Sequence, residues 1–215
     1  MNLHESIIEA MRATDVEAPQ TRGLWTIRRD DFARLGPALQ VFVTHDRAYH
    51  RYPSIPTITT ALNRLPASPT EPLGETVMSD DPKELRRHLA PVLAAHGRVL
   101  VSGLGLGCVA RGLLANPSVT RVDVVEVDED ILAMVAASVD DPRLSLHLGD
   151  ARTIRWPLGR RWDFAWHDVW GETPSTQVLH AELLVRYRDL ATRQGAWMLP
   201  RYLKRIARRS ISLIG

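Results

Sequence analysis

Hydrophobic positions along this chain follow two rhythms. Short, nearly unbroken apolar runs alternate with longer stretches in which apolar residues return every three or four positions. The first rhythm marks buried strands, the second marks helices packed on one side. Leu3, Ile7, Ile8 and Met11 share a helical face at the N-terminus, and residues 17–21 read as a connector. Residues 23–27 and 39–44 are short β-like runs, the second rich in β-branched and aromatic side chains. Five prolines fall within residues 52–72, which predicts an extended loop or lid there. A short strand is expected at 74–78, followed by Ser79, Asp80 and Asp81, each suited to cap a helix opened by Pro82. That helix carries the stripe Leu85, Leu89, Val92 and Leu93, stops at Gly97, and is expected to kink at Pro91.

From there the pattern becomes regular. Strands are predicted at 99–101, 119–127, 144–148, 162–166 and 196–199. Helices follow the first two strands, one running to Leu114 and one over 131–139, and a long amphipathic helix is predicted at 176–192. Alternation along 162–166 places Trp162, Phe164 and Trp166 on one face, in the core. Nearly continuous apolar strands alternating with helices imply a parallel sheet covered on both faces. The fold class expected is α/β, a Rossmann-like, doubly wound, mainly parallel sheet. Residues 1–78 would form an N-terminal helix, short strands and a proline-rich lid. Residues 79–200 would form the Rossmann-like domain, and residues 201–215 a basic amphipathic segment. In such sheets ligands bind at the carboxyl ends of the strands.

Composition narrows the class. With 215 residues, 45% apolar and 24% charged, the chain reads as one ordinary globular domain with a small added element. No apolar run approaches the roughly 18 residues that span a bilayer, and the acidic N-terminus is unlike a signal peptide. A single cysteine, Cys108, excludes an internal disulfide framework and reads as a small buried residue. His45, Asp46 and His50 lack metal-ligand spacing, so no metal is expected. These features point to a cytoplasmic protein. Charge is uneven: five bases and no acid lie in 201–215. If helical, those bases fall within about 140° of arc. They suit a docked helix with a solvated basic face, or a weak nucleic-acid contact.

The candidate chemistry begins after residue 101, where Gly103, Gly105 and Gly107 form a glycine-rich turn between strand and helix. Glycines let a ligand approach the backbone closely, and the helix start offers unpaired N–H groups. Glu126, 21 residues after Gly105, ends the next strand, where a carboxylate accepts hydrogen bonds from two ribose hydroxyls. These two strands alone do not separate a nicotinamide cofactor from S-adenosylmethionine. Asp150, ending the third strand in Leu148-Gly149-Asp150-Ala151, sits where a carboxylate accepts from an adenine amino group.

In this order and spacing the chain resembles the class I S-adenosylmethionine-dependent methyltransferase superfamily, most closely its spermidine-synthase-like branch. The resemblance covers residues 78–199. It rests on Val77-Met78-Ser79-Asp80, the 103–107 loop, Val125-Glu126-Val127-Asp128, Asp141-Pro142-Arg143, Gly149-Asp150-Ala151 and Trp162 to Asp168. It implies that the glycine loop passes the methionine moiety, Glu126 holds the ribose, Asp150 and Ala151 border the adenine, and Asp168 faces the transferable group. Departures are visible. Ser102 stands where methyltransferases often place an acid. Gly171 stands where spermidine synthases carry a second aspartate, with Glu172 beside it. The chain has no room after the fifth strand for a closing antiparallel hairpin, and an unclosed sheet edge would favour a homo-oligomer.

Methyl transfer from a sulfonium needs alignment and sometimes removal of a proton. Asp168 and His167 are the expected catalytic pair, and Trp170 with the 52–72 loop would shape the pocket of an unidentified acceptor. The expected function is therefore methyl transfer from S-adenosylmethionine. The alternatives are aminopropyl transfer to a polyamine and a non-catalytic cofactor-binding module. An NAD-dependent oxidoreductase ranks last, because Gly149-Asp150-Ala151 disfavours it.

Overall fold

The computed structural model describes residues 2–12, 18–31, 58–66, 75–169 and 176–197. Its centre is a five-stranded sheet of β5 (Gly97–Ser102), β6 (Val119–Glu126), β7 (Leu144–Leu148), β8 (Trp162–His167) and β9 (Ala191–Ala196). The order is β7-β6-β5-β8-β9 and every pairing is parallel. The strand order reverses at β5, so the crevice between the ends of β5 and β8 is the switch point where such sheets take ligands. The mixed α/β, Rossmann-like architecture expected from the pattern is observed.

One face of the sheet presents Val99, Val101, Val122, Val124, Phe164 and Trp166 to a common apolar core. It is covered by α2 (Pro82–Ala94), α3 (Cys108–Ala115) and α4 (Glu129–Val135), with a short 3-10 turn over Ala136–Ser138. The N-terminal helix α1 (Leu3–Met11), begun by an Asn2–Glu5 capping box, buries Ile7, Ile8 and Met11 on this side, against α2 and α3. Gly112 permits that approach, since a Cβ there would stand 2.5 Å from Met11 Cγ. The opposite face carries Leu100, Val125, Ala165 and Ala191 under Leu183 and Tyr187 of α5 (Thr176–Tyr187). Asp123 is fully buried on this face. It accepts from His147 at 3.1 Å, Arg160 at 2.6 Å and Trp162 at 2.9 Å. Those partners outweigh the desolvation that favours its neutral form and hold its carboxyl below the usual range.

A second sheet is antiparallel, in the order β1-β2-β3-β4: β1 (Gln20–Arg22), β2 (Trp25–Asp31), β3 (Ile58–Arg64) and β4 (Glu75–Ser79). It stands against the carboxyl end of the parallel sheet. Trp25 donates to Asp128 at 2.7 Å, and Arg22 donates to Asp130 at 2.6 Å.

Several expectations need correction. The 52–72 stretch is not loop throughout, because β3 occupies Ile58–Arg64, a β-branched run clear of proline between Pro56 and Pro66. The helix expected over 176–192 ends at Tyr187. The last strand is Ala191–Ala196 rather than 196–199, because pairing with β8 selects a polar segment whose Gln194 is buried and bonded on both sides. Trp162 packs on the α5 side, away from Phe164 and Trp166, where its indole N–H reaches Asp123. The run at 39–44, His45, Asp46, His50, Trp170, Glu172 and the 201–215 segment lie outside the described residues.

Candidate active site

A cavity of about 410 Å³ opens at the switch point, between the parallel sheet's carboxyl edge and the antiparallel sheet. The parallel side contributes Gly103, Gly105, Glu126, Asp150, Ala151 and Asp168; the antiparallel side contributes Trp25, Leu62, Val77 and Met78. Six of the eight sequence-predicted site residues therefore line one cavity. Gly107 and His167 are not among the lining residues.

The glycine loop is shaped by close contacts. Gly103 has φ +94°, and a Cβ there would stand 2.0 Å from the main-chain oxygen of Asp168. The loop and the end of β8 can be this close only where no side chain intervenes. At Gly105 a Cβ would meet Met78 Sδ at 2.4 Å, and that sulfur accepts the Leu106 N–H at 3.3 Å. Gly107 plays another part: it is the left-handed N-cap of α3, one turn behind the cavity, with no side chain to cap the helix. Cys108 follows it, buried, and burial pushes its thiol up to about 12, which leaves it a packing residue.

Glu126 is held at the end of β6 by two main-chain donors. Leu104 N–H gives to Oε2 at 2.8 Å and Asp128 N–H to Oε1 at 2.9 Å. A carboxylate oxygen has capacity for further hydrogen bonds, so both remain able to accept from a diol. Asp128 lines the same cavity but serves the fold. It caps α4 through Asp130 N–H and Ile131 N–H while accepting from Trp25. Asp150 forms a fork with Arg152, at 2.7 Å and 3.0 Å, and that guanidinium holds its carboxyl below the ordinary range. Ala151 is buried, and its carbonyl accepts from the Tyr187 hydroxyl at 2.9 Å.

Asp168 and His167 part company. Successive residues at a strand end point to opposite faces. His167 turns into the protein between Ser102 Oγ at 2.9 Å and Gln194 Oε1 at 3.2 Å. Gln194 spends its amide N–H on Leu184 O, so its oxygen faces the ring. The imidazole then donates from Nε2 and accepts from Ser102 at Nδ1, as a neutral ring. Burial pulls it down to about 4. His167 thus does not line this cavity. Asp168 lines the cavity, and burial pushes its carboxyl up to about 6.

Two residues near Asp168 were not anticipated. His88 on α2 is fully buried, 3.5 Å from Asp168 Oδ2 and 3.4 Å from Glu84 Oε1, through the same ring nitrogen, Nε2. Their signal was in the sequence: His88 interrupts the apolar stripe of α2, and Glu84 stands one turn before it. Trp25 offered no comparable signal, and Met78 only as part of the Val77–Asp80 motif, because their places at the cavity depend on how the two sheets meet.

No family model matches the chain. A ribosomal RNA small subunit methyltransferase A from Syntrophotalea carbinolica is 42% identical over 64 residues, 30% of this chain and 23% of that protein. A polyamine aminopropyltransferase from Nitrosomonas europaea is 40% identical over 65 residues, 26% of this chain and 20% of that protein. The chain thus matches under a quarter of the length of either. Solved structures similar to it include many methyltransferases. One, from Geobacter sulfurreducens, has 23% identity, covers 60% of this chain and 69% of its own, and has a TM-score of 0.42. A dimethyladenosine transferase from Plasmodium falciparum has 20% identity, 52% and 39% coverage, and a TM-score of 0.40.

Proposed function

We propose that the chain binds S-adenosylmethionine and transfers its methyl group to an acceptor. One observation carries the reading: the glycine loop, Glu126, Asp150 and Asp168, from the ends of four neighbouring strands, surround a single cavity. The residues present suit the cofactor. Gly103 and Gly105 leave the loop without side chains, Glu126 keeps acceptor capacity for the ribose hydroxyls, and Asp150 with Ala151 lies at the third strand for the adenine. The bound cofactor would supply an activated sulfonium methyl. The chain's own work is then to align the acceptor and take up its proton, for which Asp168 is the group at hand. His167, neutral and sealed behind β8, supports the strand end rather than the reaction.

Aminopropyl transfer is the second reading, favoured by the local match to the Nitrosomonas aminopropyltransferase and by a buried carboxylate at Asp168. The two differ in whether the donor keeps its carboxylate. Isothermal titration with S-adenosylmethionine and with its decarboxylated form separates them. Tighter binding of the carboxylated donor is the outcome expected for methyl transfer. A preference for the decarboxylated donor would overturn that assignment in favour of aminopropyl transfer.

A further inference from the structure

Behind Asp168 lies a buried cluster that cofactor binding does not require. His88 has no exposed surface, and its Nδ1 has no hydrogen-bond partner among the described residues. Its Nε2 is shared between Glu84 Oε1 at 3.4 Å and Asp168 Oδ2 at 3.5 Å, and the Trp166 ring stands edge-on at 6.1 Å. Asp168 is nine-tenths buried, with Oδ2 3.5 Å from His88 Nε2 and Oδ1 buried without a hydrogen-bond partner among the described residues. Two largely buried carboxylates around one fully buried imidazole make a poor structural choice: apolar packing on this face of α2 would be more stable.

We propose that Glu84 and His88 form a proton-holding pair behind Asp168, positioning residues that keep this carboxylate charged and ready to accept the acceptor's proton. The inference rests on the transferase reading above. In the step, an acceptor X–H in the cavity gives its proton to the Asp168 carboxylate; an O–H bond forms as the X–H bond breaks, and the electron pair stays on X. Before it, a protonated His88 facing Oδ2 favours the carboxylate form. Glu84, one turn away on the same helix, fixes the ring and favours its protonated form.

The charged groups acting on His88 are Glu84 and Arg87 from its own helix and Asp168 from the end of β8. Burial alone would pull His88 down; Asp168 and Glu84 outweigh it, so the ring stays protonated above the ordinary histidine range. Glu84 is held below its ordinary range, its burial outweighed by His88 and Arg87. Burial holds Asp168 at about 6 against the pull of His88.

The test is an NMR titration of the His88 ring in the full chain. In the free protein the His88 midpoint is expected above that of an exposed histidine, and Asp168→Asn or Glu84→Gln lowers it. A ligand comparison needs no substitution. S-adenosylmethionine, with its sulfonium charge, is expected to lower the His88 midpoint, and S-adenosylhomocysteine, with a neutral sulfur, to leave it higher. A midpoint unmoved by Asp168→Asn, or identical with the two ligands bound, overturns the proposal. Failure of both ligands to bind defeats the transferase reading, and the free-protein titration still reports on the cluster.

Discussion

At the scale of single residues, strand alternation decides which of two neighbouring groups faces the cavity. His167 and Asp168 are adjacent in sequence, yet the strand's alternation sends one into the core and leaves the other at the cavity. His167 is therefore a stability residue with a definite pH signature. Its folded value is lowered to about 4, while the unfolded chain titrates at the ordinary histidine value. Between these the unfolded chain binds a proton that the folded ring refuses, so stability falls as pH drops from about 6.5 toward 4. The contribution between pH 7 and pH 5 is about 2 kcal/mol. Urea unfolding of His167→Gln is expected to show a correspondingly weaker loss over that interval than the parent chain. An unchanged loss would show that the ring is not held neutral.

At the scale of elements, the link between the two sheets is small and specific. Trp25 of β2 donates to Asp128, the same carboxylate that caps α4 beside Glu126. Trp25→Phe keeps an aromatic ring but deletes that bond. It is expected to cost about 1 kcal/mol and to raise amide exchange in β1 and β2 ahead of β5. Equal exchange in both sheets would contradict the idea that this bond holds the sheet in place. The same scale shows what the sequence made legible. β5, β6 and β8 announce themselves because a buried parallel strand is largely apolar on both faces. β7, half-buried at the sheet edge, shows in the alternation of Leu144, Leu146 and Leu148 with Ser145 and His147. β3 was hidden by the prolines around it, although none falls inside it. β9 was misplaced because its central residue is Gln194, a polar side chain that is comfortable in a core only through His167 and Leu184. Such pairings are tertiary facts, invisible to local pattern. The glycine loop, Glu126, Asp150 and Asp168 were legible because each sits at a strand end whose position the pattern gives. His88 required knowing which residue the buried face of α2 meets.

At the scale of the whole molecule, a cavity with an anionic rim lies between a parallel sheet and an antiparallel one. Among the described residues, no helix is long and apolar enough to cross a membrane. Under the proposed transferase reading, the acidic side chains around the cavity would meet a ligand with hydroxyls and positive charge: Glu126 on two amides, Asp150 on Arg152, Asp168 beside His88. A dinucleotide brings a pyrophosphate to this rim, and S-adenosylmethionine brings a sulfonium instead. Isothermal titration of the full chain with S-adenosylmethionine, S-adenosylhomocysteine and NAD, repeated on Glu126→Gln, puts that difference to the test. The account predicts binding of both adenosyl ligands, weakened about tenfold or more by the substitution, a loss of about 1.4 kcal/mol, and no binding of NAD. Binding of NAD alone would contradict it.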